Sequence, residues 1–427
     1  MSKYLTVWVF QTGEPLHTDA GNPRPMRAMN LANALVAAGH NVVLWSTAFY
    51  HQEKRHRTRG AERMVISPQL EIRLIPSPGY RRNIGLGRLW DHAILAHNLL
   101  KLLKNEAIPP DVAFVGYPPI ESAAVLTRWL NRRSVPCVLD VKDQWPTIFL
   151  RALPARLHAV GRFCLAPYFY FARRAMRDAT ALTAMAAGFL QWAADFAGRT
   201  VGELDRVVPL TTPGGQVSDV ELAAARAWWQ QQGVGLDGKP RICFVGSHTT
   251  AFDFAAVLEA ARALASRGAD CEFIICGDGP SSKVWREQAH GASNVRFVGW
   301  IDRAQIAALA AVSLAALAPY KNTEDFTMSI PNKVIDSLSL GLPVLSPLEG
   351  EVAKLIDMHE VGLGYGPRTG RSLAECVEAL MSDQSLQSRL SVKARSLYRE
   401  NFDFQRVYGG LVGLLEVLGT RWVKDGQ

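Results

Sequence analysis

Lys333 and Asp336 stand three residues apart at the start of what reads as a short helix, and together their charges suit a nucleotide. The surrounding stretch, residues 329–351, runs SIPNKVIDSLSLGLPVLSPLEGE. Ser329 suits an N-cap and Pro331 the first turn, while Ile330, Val334, Ile335 and Leu338 recur at the spacing of a buried helical face until Gly341. The apolar run of residues 342–345 then reads as a buried parallel strand opening into the acidic loop of Glu349, Gly350 and Glu351. Free amides and the dipole at a helix start attract phosphate, a lysine beside them neutralises it, and a carboxylate can accept both hydroxyls of a ribose. The residues therefore outline a nucleoside-diphosphate site. The plainer reading of the same stretch is a helix-turn-strand of an α/β core carrying two solvated charges.

Elements able to hold such a site recur in both halves. With 427 residues the chain fits two domains of roughly 200 residues each. Residues 5–10 alternate as a strand, 11–22 form a turn-rich loop, 25–38 form a helix ended by Gly39, and 41–46 form a second strand. This is a Rossmann-like opening, with ligands expected at the carboxyl ends of the strands. Residues 49–63, FYHQEKRHRTRGAER, read as a mobile basic loop. An amphipathic helix over 81–106 and a strand over 111–116 follow. In PCVLDVKDQWP, residues 136–146, a buried strand then ends in Asp140, Asp143 and a tryptophan. Residues 148–177 read as helical, with Arg, Phe, Tyr and Leu interleaved in a way that suits a membrane interface or the basic outer face of a core helix. VVPLTTPGGQ, residues 207–216, has the composition of a linker. Beyond it, strands over 241–245, 272–276, 294–298 and 312–318 alternate with helices, and helices over 386–401 and 404–418 close the chain.

Composition narrows the classes. The chain is 48% hydrophobic and 20% charged, without repeats or low-complexity tracts. Its start reads as a first strand and not a leader peptide, and no stretch reaches the ~18 apolar residues of a membrane span. Six cysteines are scattered without metal-like spacing, as reduced core thiols would be. Residues 1–210 carry 26 Lys and Arg against 15 Asp and Glu, so the first half is basic and the second slightly acidic. No nucleic-acid motif accompanies that charge, which points instead to an anionic membrane or a lipid phosphate.

The wording of residues 329–351 resembles the nucleotide-sugar segment of retaining GT-B glycosyltransferases of family 4, where PNK, a helix acid, a Gly-x-Pro-Val turn and a GE pair recur in this order. GEPL after the first strand, DVKDQWP and GFLQWAADFAGR (188–199) are similar to the same group. The resemblance implies α/β architecture of the GT-B kind: two Rossmann-like domains facing each other across a cleft, residues 1–207 on the acceptor side and 208–403 on the nucleotide-sugar side. A last helix, about 404–427, would pack back on the first domain. It implies donor contacts from Gly13 and Glu14, from the 246–250 loop (Gly246, Ser247, His248, Thr249), from Gly277, from the backbone of Trp300 and Ile301 around the base, and from Pro331, Asn332, Lys333, Asp336, Ser346 and Glu351. His51, Lys54 and Asp143 are the acceptor-side candidates. Two departures stand out: the family's first glutamate falls on Met328, and the 246–250 loop lacks the usual basic residue.

The implied reaction transfers a sugar from a UDP-sugar, with retention and without metal or other cofactor, to a glycan acceptor on a lipid diphosphate at the cytoplasmic face of a membrane. O-antigen, lipopolysaccharide or capsule synthesis is the implied setting, and no nucleic-acid partner is expected. Two other functions remain open: a UDP-sugar 2-epimerase of the same fold, and a non-catalytic, membrane-associated assembly partner.

Overall fold

Short, almost unbroken apolar runs such as TVWVF and CVLDV cannot offer a polar face to water, and here they form parallel strands covered on both sides. The computed structural model describes residues 4–425 apart from 22, 84, 152, 212–216 and 236–237, with side chains to residue 420. Its contacts divide the chain into two units, Met1–Thr212 with Gln405–Gln427, and Pro213–Phe404.

The first unit contains β1 (Thr6–Phe10), β2 (Asn41–Thr47), β3 (Phe49–Tyr50), β4 (Arg55–His56), β5 (Glu62–Ser67), β6 (Leu70–Ile75), β7 (Val112–Tyr117), β8 (Cys137–Val141), β9 (Ala181–Ala184) and β10 (Arg206–Val207). Eight of them make one sheet in the order β10-β9-β8-β7-β1-β2-β6-β5. All neighbours are parallel except the edge pair β5–β6. Trp8 stacks on Trp129 at 5.3 Å and touches Trp45, fastening the helix Ile120–Asn131 to the sheet. The last helix, Phe404–Asp425, belongs to this unit for nearly its whole length, with Glu416 3.0 Å from the His40 ring and Tyr408 accepting from Asn30.

The second unit holds β11 (Arg241–Val245), β12 (Glu272–Cys276), β13 (Val295–Gly299), β14 (Ala315–Leu317), β15 (Val344–Ser346) and β16 (Gly362–Gly364), parallel throughout and ordered β13-β12-β11-β14-β15-β16. Strand order reverses direction between β11 and β14 here, and between β1 and β7 in the first unit. Such switch points are where open α/β sheets leave room for ligands at their carboxyl ends.

Several local expectations change. The helix after Ser329 spans Asn332–Ser339 and has Pro331 as its N-cap, without a side-chain cap; the Ser329 hydroxyl instead donates back to the Asp325 carbonyl at 2.7 Å. A missing cap costs about 1 kcal/mol, whereas burying Val334, Ile335 and Leu338 gains roughly 1.5–3 kcal/mol each, so packing decides that this helix forms. Residues 49–63 are not one loop: they hold the β3–β4 hairpin and, after irregular residues 57–61, the start of β5. The helix expected over 81–106 is Leu86–Lys104. Residues 148–177 break into Thr147–Arg151, a turn at Ala155–Leu157, His158–Cys164 and Ala166–Asp178, with Pro154 and Pro167 at the starts of the second and fourth pieces, where their missing N–H is harmless. Five cysteines are buried thiols, but Cys164 is exposed. The expected linker's residues 212–216 lie outside the described residues. Among the described residues no helix is long and apolar enough to cross a membrane.

Candidate functional site

At the switch point of the second unit, β11 ends in Gly246, whose φ of +140° only glycine holds without strain. A Cβ there would strike the Lys333 ammonium, and one at Gly277 would strike the Gly246 carbonyl. The two strand ends are thus packed backbone to backbone. Main-chain bonds from Gly246 to Cys276 and from His248 to Asp278, both 3.0 Å, lock residues 246–250 to the turn after β12.

Lys333 reaches this place from the helix Asn332–Ser339. Its ammonium donates to the Val245 carbonyl and lies 4.4 Å from the Phe244 ring and 5.4 Å from that of Phe252. Burial pulls its pKa down to about 8, with Asp336 pushing the other way. Such a desolvated cation gains from any anion that arrives. Asp336 is half-buried one turn on, Asn332 is exposed in the first turn, and Pro331 is buried at the cap. No lysine or arginine lies within residues 246–250; the fold supplies Lys333 there. It also brings Arg286, over the Phe297 ring at 4.8 Å and close enough to influence His248 and Asp278.

Other candidates fare differently. Ser247 is exposed and Thr249 half-buried, but the His248 ring is fully buried against Trp285, 4.6 Å between centroids, with Nδ1 bonded to the Ser282 hydroxyl at 2.8 Å. Burial lowers its pKa, so the ring is a neutral group of the core, with Nε2 buried and without a hydrogen-bond partner. The Ser346 hydroxyl is likewise committed, donating to the Ala318 carbonyl at 2.9 Å and accepting from the Leu348 amide. Gly277 is buried, Trp300 exposed and Ile301 half-buried, at the ends of β12 and β13. Glu351 sits in the first turn of Glu351–His359, 3.0 Å from Lys354.

In the first unit Gly13 turns with φ +79° in open space, but Glu14 is buried. One Glu14 carboxylate oxygen accepts the Ala28 amide at 2.9 Å, at the start of the helix Arg27–Ala37, and the other is bonded by Lys142. The expected substrate contact by its side chain is therefore replaced by a helix-capping ion pair. Beside it Arg27 pairs with the buried Asp140 at 3.2 Å, and Asp140 accepts from Thr183 at 2.8 Å. Asp143 is half-buried and accepts the Gln144 amide.

His51 and Lys54 come together in the β3–β4 turn. The His51 Nδ1 lies 2.6 Å from the Tyr80 hydroxyl and 3.1 Å from the Lys54 ammonium, so it is the acceptor of a neutral ring. Burial, then Lys54 and Arg88, lowers the His51 pKa to about 4. No local pattern in the sequence marks Tyr80, Arg88 or Lys142, which approach their partners only through folding. Among the described residues no group of three or more His, Cys, Asp or Glu could hold a metal ion.

Comparison with known proteins matches residues 239–383 to "Glycosyl transferases group 1" and residues 26–211 to "Glycosyl transferase 4-like domain". Alpha-D-kanosaminyltransferase of Streptomyces kanamyceticus is 25% identical over 208 residues, 48% of this chain and 52% of that protein. The 2-deoxystreptamine N-acetyl-D-glucosaminyltransferase of Niallia circulans is 24% identical over 163 residues, 38% of this chain and 41% of that protein. The chain spans about half the length, or less, of these curated relatives. HepE of Anabaena, solved in complex with UDP, superimposes with a TM-score of 0.63 at 15% identity, covering 96% of this chain and 99% of that one; the likeness is one of fold.

Proposed function

Because the chain belongs to the group 1, 4-like glycosyl transferases of the GT-B fold, we propose that it is a retaining glycosyltransferase that moves a sugar from a UDP-sugar, held by the second unit, to a glycan acceptor on a lipid diphosphate. The observation that carries this reading is the Lys333 ammonium seated under Gly246 at the switch point of the second sheet, with Asp336 one turn away.

In this mechanism the bond between the sugar's anomeric carbon and the diphosphate oxygen breaks, and negative charge builds on the departing UDP. Lys333 and the amide end of its helix stabilise that charge, the role a divalent cation would otherwise fill. The acceptor hydroxyl bonds to the anomeric carbon on the face the leaving group vacates, and its proton passes to the departing phosphate oxygen, so no separate base is assigned. Asp336 accepts the ribose hydroxyls. The backbone around Gly277, Trp300 and Ile301 borders the base, Ser247, Thr249, Pro331 and Asn332 line the diphosphate, and Glu351 faces the sugar.

The acceptor side is argued from charge. Residues 144–177 contain six arginines and no acid, and they expose Val160, Phe163 and Tyr170, a surface suited to anionic headgroups at the cytoplasmic face of a membrane. Surface-polysaccharide synthesis follows from such an acceptor. The relatives' names favour a second reading, transfer to a soluble amino-sugar or cyclitol acceptor.

Calorimetric titration with UDP, GDP and their sugar conjugates tests the donor half. UDP binding lost in Asp336→Ala is the expected result; binding of no nucleotide overturns the reading. Sedimentation with phosphatidylglycerol vesicles tests the membrane half, which fails if Phe163→Ser with Val160→Ser leaves binding unchanged.

A further inference from the structure

Away from the nucleotide site, the first unit gathers positive charge around Tyr80. The Lys54 ammonium lies 4.6 Å and the Arg88 guanidinium 5.6 Å from the centre of its ring. Arg88 also lies 4.7 Å from the ring of Trp145, so it rests between two aromatic faces. Both cations spend hydrogen bonds on neutral acceptors of one residue: Lys54 donates to the Asn83 side-chain carbonyl at 2.6 Å and Arg88 to its main-chain carbonyl at 2.9 Å. The Arg88 Nε is buried without a hydrogen-bond partner, and among the described residues neither cation forms an ion pair.

The groups facing this cluster offset its charge only in part. His51 and His92 are uncharged, held at about 4 and about 3 by burial first and neighbouring cations second. The Asp91 carboxylate interacts electrostatically with Arg88, but it is buried and turned to the Gly79 amide at 2.6 Å, and burial raises its pKa. Glu121, 4.0 Å from His92, is raised by burial as well. Arg88 stands in the first turn of Leu86–Lys104, which carries no acidic residue there, so the helix end adds to the same positive field. Two adjacent cations that form no ion pair destabilise each other until an anion joins them.

Resting on the reading that the first unit receives the acceptor, we infer that Lys54 and Arg88 form a subsite for a phosphate or diphosphate group of that acceptor. Two cations match a dianion, and the guanidinium fork offers parallel donors to its oxygens. A cationic acceptor of the 2-deoxystreptamine kind is repelled by the same pair. The phosphate has two possible sources, a lipid diphosphate or a soluble sugar phosphate.

The test uses the full chain saturated with UDP, so that the donor site is filled, and titrates in a short-chain prenyl diphosphate, glucose 6-phosphate, or 2-deoxystreptamine. A phosphate probe is expected to bind, and Lys54→Gln with Arg88→Gln to weaken it by about 10- to 100-fold while UDP affinity stays within about twofold, which also reports a folded variant. Arg88→Lys should restore part of the loss. Binding of the prenyl diphosphate alone assigns the lipid source, and binding of glucose 6-phosphate alone the soluble one; either supports the subsite. Binding of neither phosphate, equal binding by the double variant, or binding of 2-deoxystreptamine alone overturns it. A wild-type chain that fails to bind UDP defeats the donor reading separately. In that case Lys333→Met, which strips the donor site, still allows the phosphate titration to decide the subsite.

Discussion

The two sheets place charge at their carboxyl ends in opposite ways. Beside β1, Lys142 is paired with Glu14 and Arg27 with Asp140, so these charges meet counter-charges within the protein. Beside β11, Lys333 is held by a main-chain carbonyl and two phenyl rings, and burial has already lowered its pKa. A buried cation that already has its counter-charge gains little from an anionic ligand, whereas a desolvated cation gains from any anion. One arrangement fastens a helix to a sheet, and the other is poised for phosphate.

Glu14→Ala should break this contrast most visibly. It leaves Lys142 only Asp140, 3.8 Å away, and uncaps the helix Arg27–Ala37, so a loss of about 1–3 kcal/mol in unfolding free energy is expected, with UDP affinity unchanged. Urea unfolding followed in parallel with UDP titration checks it; a stable variant that no longer binds UDP would reverse the roles assigned to the two units. Lys333→Met is the mirror experiment. It should weaken UDP binding by about 10- to 100-fold, or about 1.5–3 kcal/mol, while leaving the protein as stable or more so, because a buried charge is replaced by an apolar chain of similar length.

The smallest effect is a pH dependence. Bound diphosphate favours the charged form of Lys333, so UDP binding takes up a proton near pH 8 and affinity falls as pH rises through that value. Calorimetry in buffers of different ionisation heat measures the proton, and the slope should vanish in Lys333→Met. For stability the sign is opposite. Between about 8 and the lysine's ordinary 10.5 the unfolded chain binds more protons, so this residue makes stability rise with pH.

Much of the frame is legible in local spacing. The strands at 6–10, 41–47 and 241–245 and the helix bearing Lys333 and Asp336 follow from runs of neighbouring residues, and so does Gly246 as the end of a strand. The misses have a common cause. Ser329 reads as a cap because its type suits one, yet its hydroxyl finds the Asp325 carbonyl in the preceding short helix. His248 reads as a phosphate ligand, but Trp285, from a different helix, encloses it. Residues 49–63 look like a charged loop, although Phe49 pairs with His56 and packs on Tyr80.

By itself, then, the amino-acid order determined which segments become strands and helices, because periodicity is a property of near neighbours. It also set which carboxylates, cations and glycines stand at strand ends. Tertiary structure alone decided which of those charges meet a counter-charge. Lys333 meets the Val245 carbonyl across 88 positions of chain, and Lys142 meets Glu14 across 128. A charge's pKa and its readiness for a ligand depend on what is packed within a few ångströms, and no local pattern carries that distance.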